Sequence, residues 1–285
     1  MKIIKICLIL LLSGMAACNH GENSGKKERH DSKDEPGDIS KVGDLDFEAK
    51  EDNNTPLNKG LSPDSIGNIY ESQYCSIKNW KAGDIVSLDV VEKYGFEKCF
   101  MIEELSDEVF QRIEGISFDA DGVVSRQDLR YLKLLHYDLD GNLRLGELIC
   151  NQKISRDLVD IFKSLYEAGY PIESMRLIDD FKGDDVASMA ANNTSCFNHR
   201  STTGGGKLSR HAYGMAVDIN PLYNPYVKNK TGTVLPLEGV DYIDRSRDFN
   251  CKIDENDLAY KEFTKRGFKW GGNWRFTKDY QHFQK

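Results

Sequence analysis

The apolar positions divide the chain into three stretches. Residues 6–12 form a short apolar run behind Lys2 and Lys5, followed by small residues up to Cys18. A run this short cannot span a hydrocarbon core, which takes about 20 apolar residues, so it predicts a secretion signal. From 19 to 66 the pattern lapses: Ile39, Val42, Leu45, Phe47, Leu57, Leu61 and Ile66 stand among Gly, Asn, Ser, Pro and 19 charged residues. Such a stretch buries too little apolar surface to offset chain entropy, and it predicts a flexible tether. From 67 to 285 the periodicity returns, with no Gly/Ser linker or repeat. Runs at 129–137 and 143–150 flank Asp140-Gly141, a pair that tolerates the positive φ of a tight turn, and predict a β-hairpin. Leu158, Ile161, Phe162 and Leu165 recur at helical spacing behind Ser155, a candidate N-cap, and Gly169 and Pro171 end that helix. Residues 173–181 read as a further strand, and a short helix over about 256–266 stops at Gly267. Hairpins mixed irregularly with helices predict an α+β domain rather than a parallel doubly wound one.

Charge adds to this division. The chain carries 38 Lys+Arg against 46 Asp+Glu, a net −8, with no local basic stripe, which excludes a nucleic-acid partner. Aromatics at 10% argue against disorder of the whole chain. The tether holds 7 basic and 12 acidic residues, and loss of Lys2 and Lys5 with the signal moves the mature side-chain charge from −8 to −10. Met15-Ala16-Ala17-Cys18 resembles a bacterial lipobox with Met in the place of the usual Leu. That likeness implies a lipidated Cys18 as the new N-terminus and an extracytoplasmic protein anchored to a bacterial membrane, periplasmic or at the cell surface. The organisation is then a signal peptide at 1–17, lipidated Cys18 with an acidic tether to 66, and one domain at 67–285. Besides Cys7 and Cys18 there are Cys75, Cys99, Cys150, Cys196 and Cys251, an odd number that leaves at least one unpaired in a monomer. No C-x-x-C spacing suggests a second metal.

Two segments imitate calcium loops. With Gly141 at the sixth loop position, Asp138, Asp140 and Glu147 fall where an EF-hand places ligands, but His136 holds the first position; with Gly122 there, Asp119, Asp121 and Asp128 follow Ser117. An EF-hand needs flanking helices and a hard oxygen ligand at position one. Both segments therefore read as Asp-Gly turns, and a calcium-dependent adhesion module is the weakest of the functional readings.

Six histidines stand at 20, 30, 136, 199, 211 and 282. His211 lies in Ser209-Arg210-His211-Ala212-Tyr213-Gly214-Met215-Ala216-Val217-Asp218, and His282 in Asp279-Tyr280-Gln281-His282-Phe283. Imidazole and carboxylate are good zinc ligands, and three protein ligands with one open position make a catalytic site. Gly214 allows the chain to fold back, so that a strand through 215–217 carries Asp218 toward His211. By itself, a His and an Asp seven residues apart is a weak signal.

The wider pattern is more specific. The S-x-H-x-x-G-x-A-x-D block at 209–218, its extension Ile219-Asn220-Pro221-Leu222-Tyr223-Asn224-Pro225, the upstream Asn192-Asn193-Thr194-Ser195-Cys196-Phe197-Asn198-His199-Arg200, and Trp270-Gly271-Gly272-Asn273-Trp274 ahead of His282 occur in order. From about 129 to 284 the chain resembles the bacterial zinc D-alanyl-D-alanine carboxypeptidase and L-alanyl-D-glutamate endopeptidase family. The resemblance implies a small central antiparallel sheet flanked by helices around a zinc cleft, with one Zn2+ per chain on His211, Asp218 and His282. It implies Asp279 as the carboxylate that moves the proton, although several branches have Glu there, and Arg200 as the group that binds or polarises substrate. For Asp279 the alternative is a partner orienting a ligand histidine, and for Arg200 a structural ion pair. Ser209 falls to substrate binding, as do Trp270 and Trp274 at the cleft edge, with core packing the alternative for both indoles. His199 reads as a surface residue and Cys196 as a buried thiol. The implied activity is zinc-dependent hydrolysis of peptidoglycan stem peptides by a monomer, as D,D-carboxypeptidase or L-Ala-D-Glu-type endopeptidase, with a tilt to the latter. A non-catalytic wall-binding lipoprotein of the same fold is the competing class.

Overall fold

The first described helix starts inside the stretch assigned to the tether. The computed structural model describes residues 62–285 apart from residue 204, so the signal, Cys18 and the tether as far as 61 lie outside the described residues. Ser62 caps α1 (Pro63–Lys78) by accepting from Ser65 N at 3.2 Å, and Pro63 sits where a helix makes no use of an N–H. Helix α1 packs on α2 (Leu88–Tyr94), and β1 (Met101–Glu103) and the Ser106-capped α3 (Asp107–Ile113) follow.

The central hairpin forms where the two apolar runs and the Asp-Gly turn placed it. Strands β2 (Leu129–Tyr137) and β3 (Leu143–Asn151) pair in one register from Leu129 opposite Asn151 to Tyr137 opposite Leu143, with Gly141 at φ 81° in the turn. Helix α4 (Gln152–Glu167) lays Ile154, Leu158, Ile161, Phe162 and Leu165 toward the core. Its cap is Asn151, whose side chain accepts from Lys153 N at 3.1 Å. Ser155, the expected cap, is a turn inside the helix and donates its hydroxyl to Gln152 O at 3.0 Å.

Beyond α4 the strands are short: β4 (Ser174–Met175), β5 (Asn193–Thr194), β6 (Ala216–Asp218), β7 (Tyr226–Lys228), β8 (Thr233–Leu235), β9 (Lys269–Trp270), β10 (Lys278–Asp279) and β11 (His282–Gln284), with α5 (Asp185–Ala190) and α6 (Leu258–Lys265) between them. The strand expected over 173–181 shrinks to β4, because Asp179 accepts from Ser117 N at 3.1 Å and Ser117 Oγ at 3.0 Å and holds Ile178–Phe181 in a 3-10 turn. Among the described residues the strands form antiparallel sheets β1-β2-β3, β6-β11-β9 and β10-β7-β8 and a parallel pair β4-β5. The α+β mixture is as expected, but the single central sheet is divided, since strands of two or three residues interrupted by turns cannot extend the long hairpin. An aromatic chain joins the halves: Phe162 of α4 meets Phe263 of α6 edge-on at 6.3 Å, and Phe263 stacks on Phe283 of β11 at 4.4 Å. Truncating such a ring to Ala costs about 3–5 kcal/mol.

The Asp-Gly turns hold their own carboxylates. Asp138 accepts from Asp140 N, Asn142 N, Asn142 Nδ2 and Arg144 Nε at 2.6–3.0 Å. Glu147 binds Arg112 through both oxygens and accepts from Tyr131 OH at 2.6 Å. Asp128 closes a capping box with Ser125. Carboxylates engaged by N–H and O–H donors are poorly placed to ligate calcium, and the hairpin supplies strands where an EF-hand has helices.

His136 is buried in this hairpin. Its Nδ1 lies 2.7 Å from Ile172 O while Nε2 has no partner, the pattern of a neutral ring that donates through Nδ1. Gly146 makes the room, since a Cβ there would stand 2.9 Å from His136 Cδ2. Burial pushes the imidazole down to about 4, against the hydrogen bond to Ile172 that favours the proton. The unfolded chain, with a histidine near about 6.5, therefore takes up a proton that the folded chain refuses. Stability from this residue is present above about pH 6.5 and is lost as pH falls toward 4, by about 3 kcal/mol. His136→Asn keeps a donor for Ile172 O without titrating, and its unfolding free energy by urea should fall by about 3 kcal/mol less than that of wild type between pH 7 and 4. Parallel pH curves for the two proteins would contradict this account.

Candidate metal centre

His211 sits in a 3-10 turn, Arg210–Tyr213, opened by Ser209 and closed by Gly214 at φ 63°. A Cβ on Gly214 would lie 2.6 Å from Asn151 N, so glycine serves both the left-handed backbone and the close approach to β3. Strand β6 then brings Asp218 back beside His211. Strand β11 pairs antiparallel with β6 in a register that sets His282 opposite Asp218. Opposed residues of an antiparallel pair share one face. His211 Nε2 stands 3.1 Å from Asp218 Oδ2, His282 Nδ1 stands 2.9 Å from Asp218 Oδ1, and the two ring nitrogens are 3.2 Å apart. All three residues are buried.

The outer nitrogens decide what the inner ones offer. His211 Nδ1 lies 2.5 Å from Cys196 O and His282 Nε2 lies 3.1 Å from Gln284 Oε1. Both acceptors are oxygens, so each outer nitrogen carries the proton and each inner nitrogen is left a lone pair. Two lone pairs and a carboxylate converge with no hydrogen between them unless one ring takes a second proton. Electrostatics reflect the conflict. Burial opposes ionisation of Asp218, but the charge and hydrogen bonds of the two imidazoles hold its carboxyl far below the usual carboxylate range. Burial also disfavours the His282 imidazolium, yet the Asp218 hydrogen bond and charge raise it to about 9. A donor set of two imidazoles and one carboxylate fits a divalent cation such as zinc.

Asp279 ends β10, and its Oδ1 is enclosed without a partner. Burial raises its carboxyl to about 7, with the His282 imidazole lowering and Asp218 raising it. Gly271 packs against it: a Cβ would stand 2.6 Å from Asp279 O, 2.8 Å from Asp279 Cβ and 3.3 Å from His282 Cβ. Arg200 pairs through Nη2 with Asp185 Oδ2 at 2.9 Å, so the ion pair considered for it exists. Charges of both Arg200 and Asp185 act on Asp279, which places the pair beside the cluster rather than away from it.

The residues assigned to substrate fare differently. Trp274 packs against His282 with ring centroids 5.3 Å apart and stays partly open. Trp270 is 7% exposed, and its Nε1 donates to Tyr280 O at 2.8 Å, so it belongs to the core rather than the cleft edge. Ser209 is buried, and its hydroxyl oxygen accepts from His211 N at 3.3 Å, a contact that helps to orient the turn. His199, read as a surface residue, is partly buried and lies 3.4 Å from the carboxylate of Asp119. Sequence reasoning missed Asp185, the carbonyl of Cys196 and the amide of Gln284. Gln284 alone had a signal, because residues two apart on a strand share a face. Cys99, Cys150 and Cys196 are buried, Cys75 is exposed, and the described cysteines form no disulfide.

Residues 203–285 match the family model for D-alanyl-D-alanine carboxypeptidase. The match supports a family of the D-Ala-D-Ala metallopeptidase type for this C-terminal region. The matched stretch holds His211, Asp218, Asp279 and His282, while Arg200 and the 192–199 block lie upstream of it. No curated protein and no solved structure matches the chain.

The crowding at Gly271 yields a test that needs no turnover. Gly271→Ala should displace Asp279 and His282 and weaken zinc affinity about 10- to 100-fold, the usual cost of disturbing the groups around a ligand. Gly67→Ala, where nothing lies within 4 Å of a Cβ, should leave affinity unchanged. Competition with a chromogenic chelator measures both, and equal affinities would refute the packing argument.

Proposed function

We propose that the chain is a zinc peptidase that cuts peptidoglycan stem peptides outside the cytoplasm. The observation that carries the reading is the convergence of His211 Nε2, Asp218 and His282 Nδ1, with both outer nitrogens held by oxygens, inside a region matching D-alanyl-D-alanine carboxypeptidases. Zinc would be held by His211, Asp218 and His282. When bound, it supplies a Lewis acid that polarises a peptide carbonyl and acidifies water.

The chain's own groups account for the remaining needs of hydrolysis. Asp279, with an enclosed and unpartnered oxygen, suits a carboxylate that takes a proton from the attacking water and returns it to the leaving amine. Arg200 offers a guanidinium for the oxygen on which negative charge grows. Trp274 beside His282 offers an apolar wall for the extended peptide. Hydrogen bonds that occupy Asp138, Glu147 and Asp128 favour this reading over a calcium-binding module.

The location belongs to the same proposal. Lipid on Cys18 would hold the protein to a bacterial membrane, with 19–61 as reach, and no helix among the described residues is long and apolar enough to cross one. Labelled palmitate should enter the wild-type protein and not Cys18→Ala; equal labelling of both would remove the lipid anchor.

Mass spectrometry of purified muropeptides decides the activity and the bond. Loss of terminal D-Ala would mark a carboxypeptidase, and separation of L-Ala from D-Glu an endopeptidase. Either product should vanish with chelator and return with zinc. Asp279→Ala should retain zinc and lose about 10²- to 10⁴-fold in turnover. Intact muropeptides under zinc-replete conditions, despite measurable binding, would instead favour a non-catalytic wall-binding lipoprotein.

A further inference from the structure

Arg200 is held by a residue that no motif of the sequence singles out. Asp185, the first residue of α5, meets its Nη2 at 2.9 Å, and the two side chains are only 21% and 23% exposed. Nη1 donates to Ser201 O at 3.3 Å. Nε is enclosed and has no partner. Two of the five N–H donors of the guanidinium are thus anchored, one on each terminal nitrogen, and three remain unpaired. Taking two charges this far out of water returns little net stability over an apolar pair, so fold stability alone is a weak reason for the contact. Helix capping does not require it either. The neighbouring Asp184 is the cap, accepting from Val186 N at 3.0 Å and Ala187 N at 3.1 Å. The two acids of this doublet have separate tasks, one toward the helix and one toward the cluster, where Asp218 and His211 act on the charge of Asp185.

We propose that Asp185 is a positioning residue that clamps Arg200 through Nη2, so that the N–H donors its guanidinium leaves unpaired are held in place for a carbonyl or carboxylate oxygen of the bound peptide. The inference rests on the peptidase reading given above. An arginine without its clamp samples many rotamers, and its planar fork loses the preorganisation that separates it from lysine.

The zinc-loaded chain and the synthetic pentapeptide L-Ala-γ-D-Glu-L-Lys-D-Ala-D-Ala, which contains both candidate bonds, provide the test. Asp185→Asn should lower kcat/KM by at least about tenfold with zinc content unchanged, and Asp185→Glu, which keeps the charge, should lie between the two. In an Arg200→Lys background, Asp185→Asn should cost less than about twofold more, because both changes remove one unit. Asp184→Ala should lower Tm by about 2–4 °C and leave kcat/KM alone. Wild-type kcat/KM in Asp185→Asn, or losses that multiply in full with Arg200→Lys, overturn the clamp. If Asp185→Asn does not fold, a wild-type kcat/KM in Asp185→Glu does the same. Absence of cleavage by the wild type sinks the peptidase reading instead. The clamp is then read from pentapeptide Kd by calorimetry: weakening in Asp185→Asn sustains it, and an unchanged Kd overturns it.

Discussion

Asp218 and His282 face each other across an antiparallel pair, and the site depends on that register. A slip of one residue would send one of the two side chains to the opposite face. The bonds around the pair resist a slip from both sides: Ile219 N donates to Gln281 O at 3.0 Å, and Asp218 exchanges both backbone bonds with Ser195. The alternation of β11 then divides its side chains. His282 and Gln284 turn to the ligand cluster and bond each other, while Phe283 between them turns to the core and stacks on Phe263. Packing of one apolar ring therefore sets the orientation of the imidazole beside it, and the site inherits its rigidity from the core.

His211 reaches the same place from a different element, and Asn151 makes the connection. This residue ends the long hairpin, caps α4, and clamps the turn that carries His211. Its backbone N donates to Gly214 O at 2.8 Å and its side-chain amide to Tyr213 O at 3.1 Å. The hairpin and α4 precede the region that matches the peptidase family, yet they buttress it directly. Upstream sequence in this chain is part of the site's support, through both the backbone and the side-chain amide of Asn151.

Legibility follows from how local each cause is. The hairpin was readable because two apolar runs and an Asp-Gly turn act within one stretch, and the return of Asp218 to His211 because Gly214 and a short apolar strand act within ten. Strands of two or three residues carry too little periodicity to announce themselves, so the division into several sheets was not visible. Ser155 and Asn151 are both acceptable caps, and the end of β3 chose between them. An indole suits a cleft edge and a core equally. What settled Trp270 was the Tyr280 carbonyl and Gly272, where any Cβ would overlap the Trp270 ring. The Asp185–Arg200 pair joins positions fifteen apart through an intervening helix and strand, a coincidence in space that no spacing encodes.

Charge gives the most general reason for the arrangement. Asp218 is buried and Asp185 and Asp279 are partly buried, all close enough to influence one another, and Arg200 is the guanidinium that acts on Asp185 and Asp279. With neutral imidazoles and ionised carboxylates, three negative charges meet one positive charge and leave two in excess. In a poorly solvated setting that excess is costly, and the cluster has two ways to relieve it. Protons relieve it by raising His282 and Asp279, the direction both take. A divalent cation held by the three inward donors would relieve it in full, free the rings from carrying a second proton, and lower the proton affinity of Asp279. The same excess charge that favours protons on the cluster therefore suits it to a dication, and a proton leaving Asp279 would yield a carboxylate able to accept one from water.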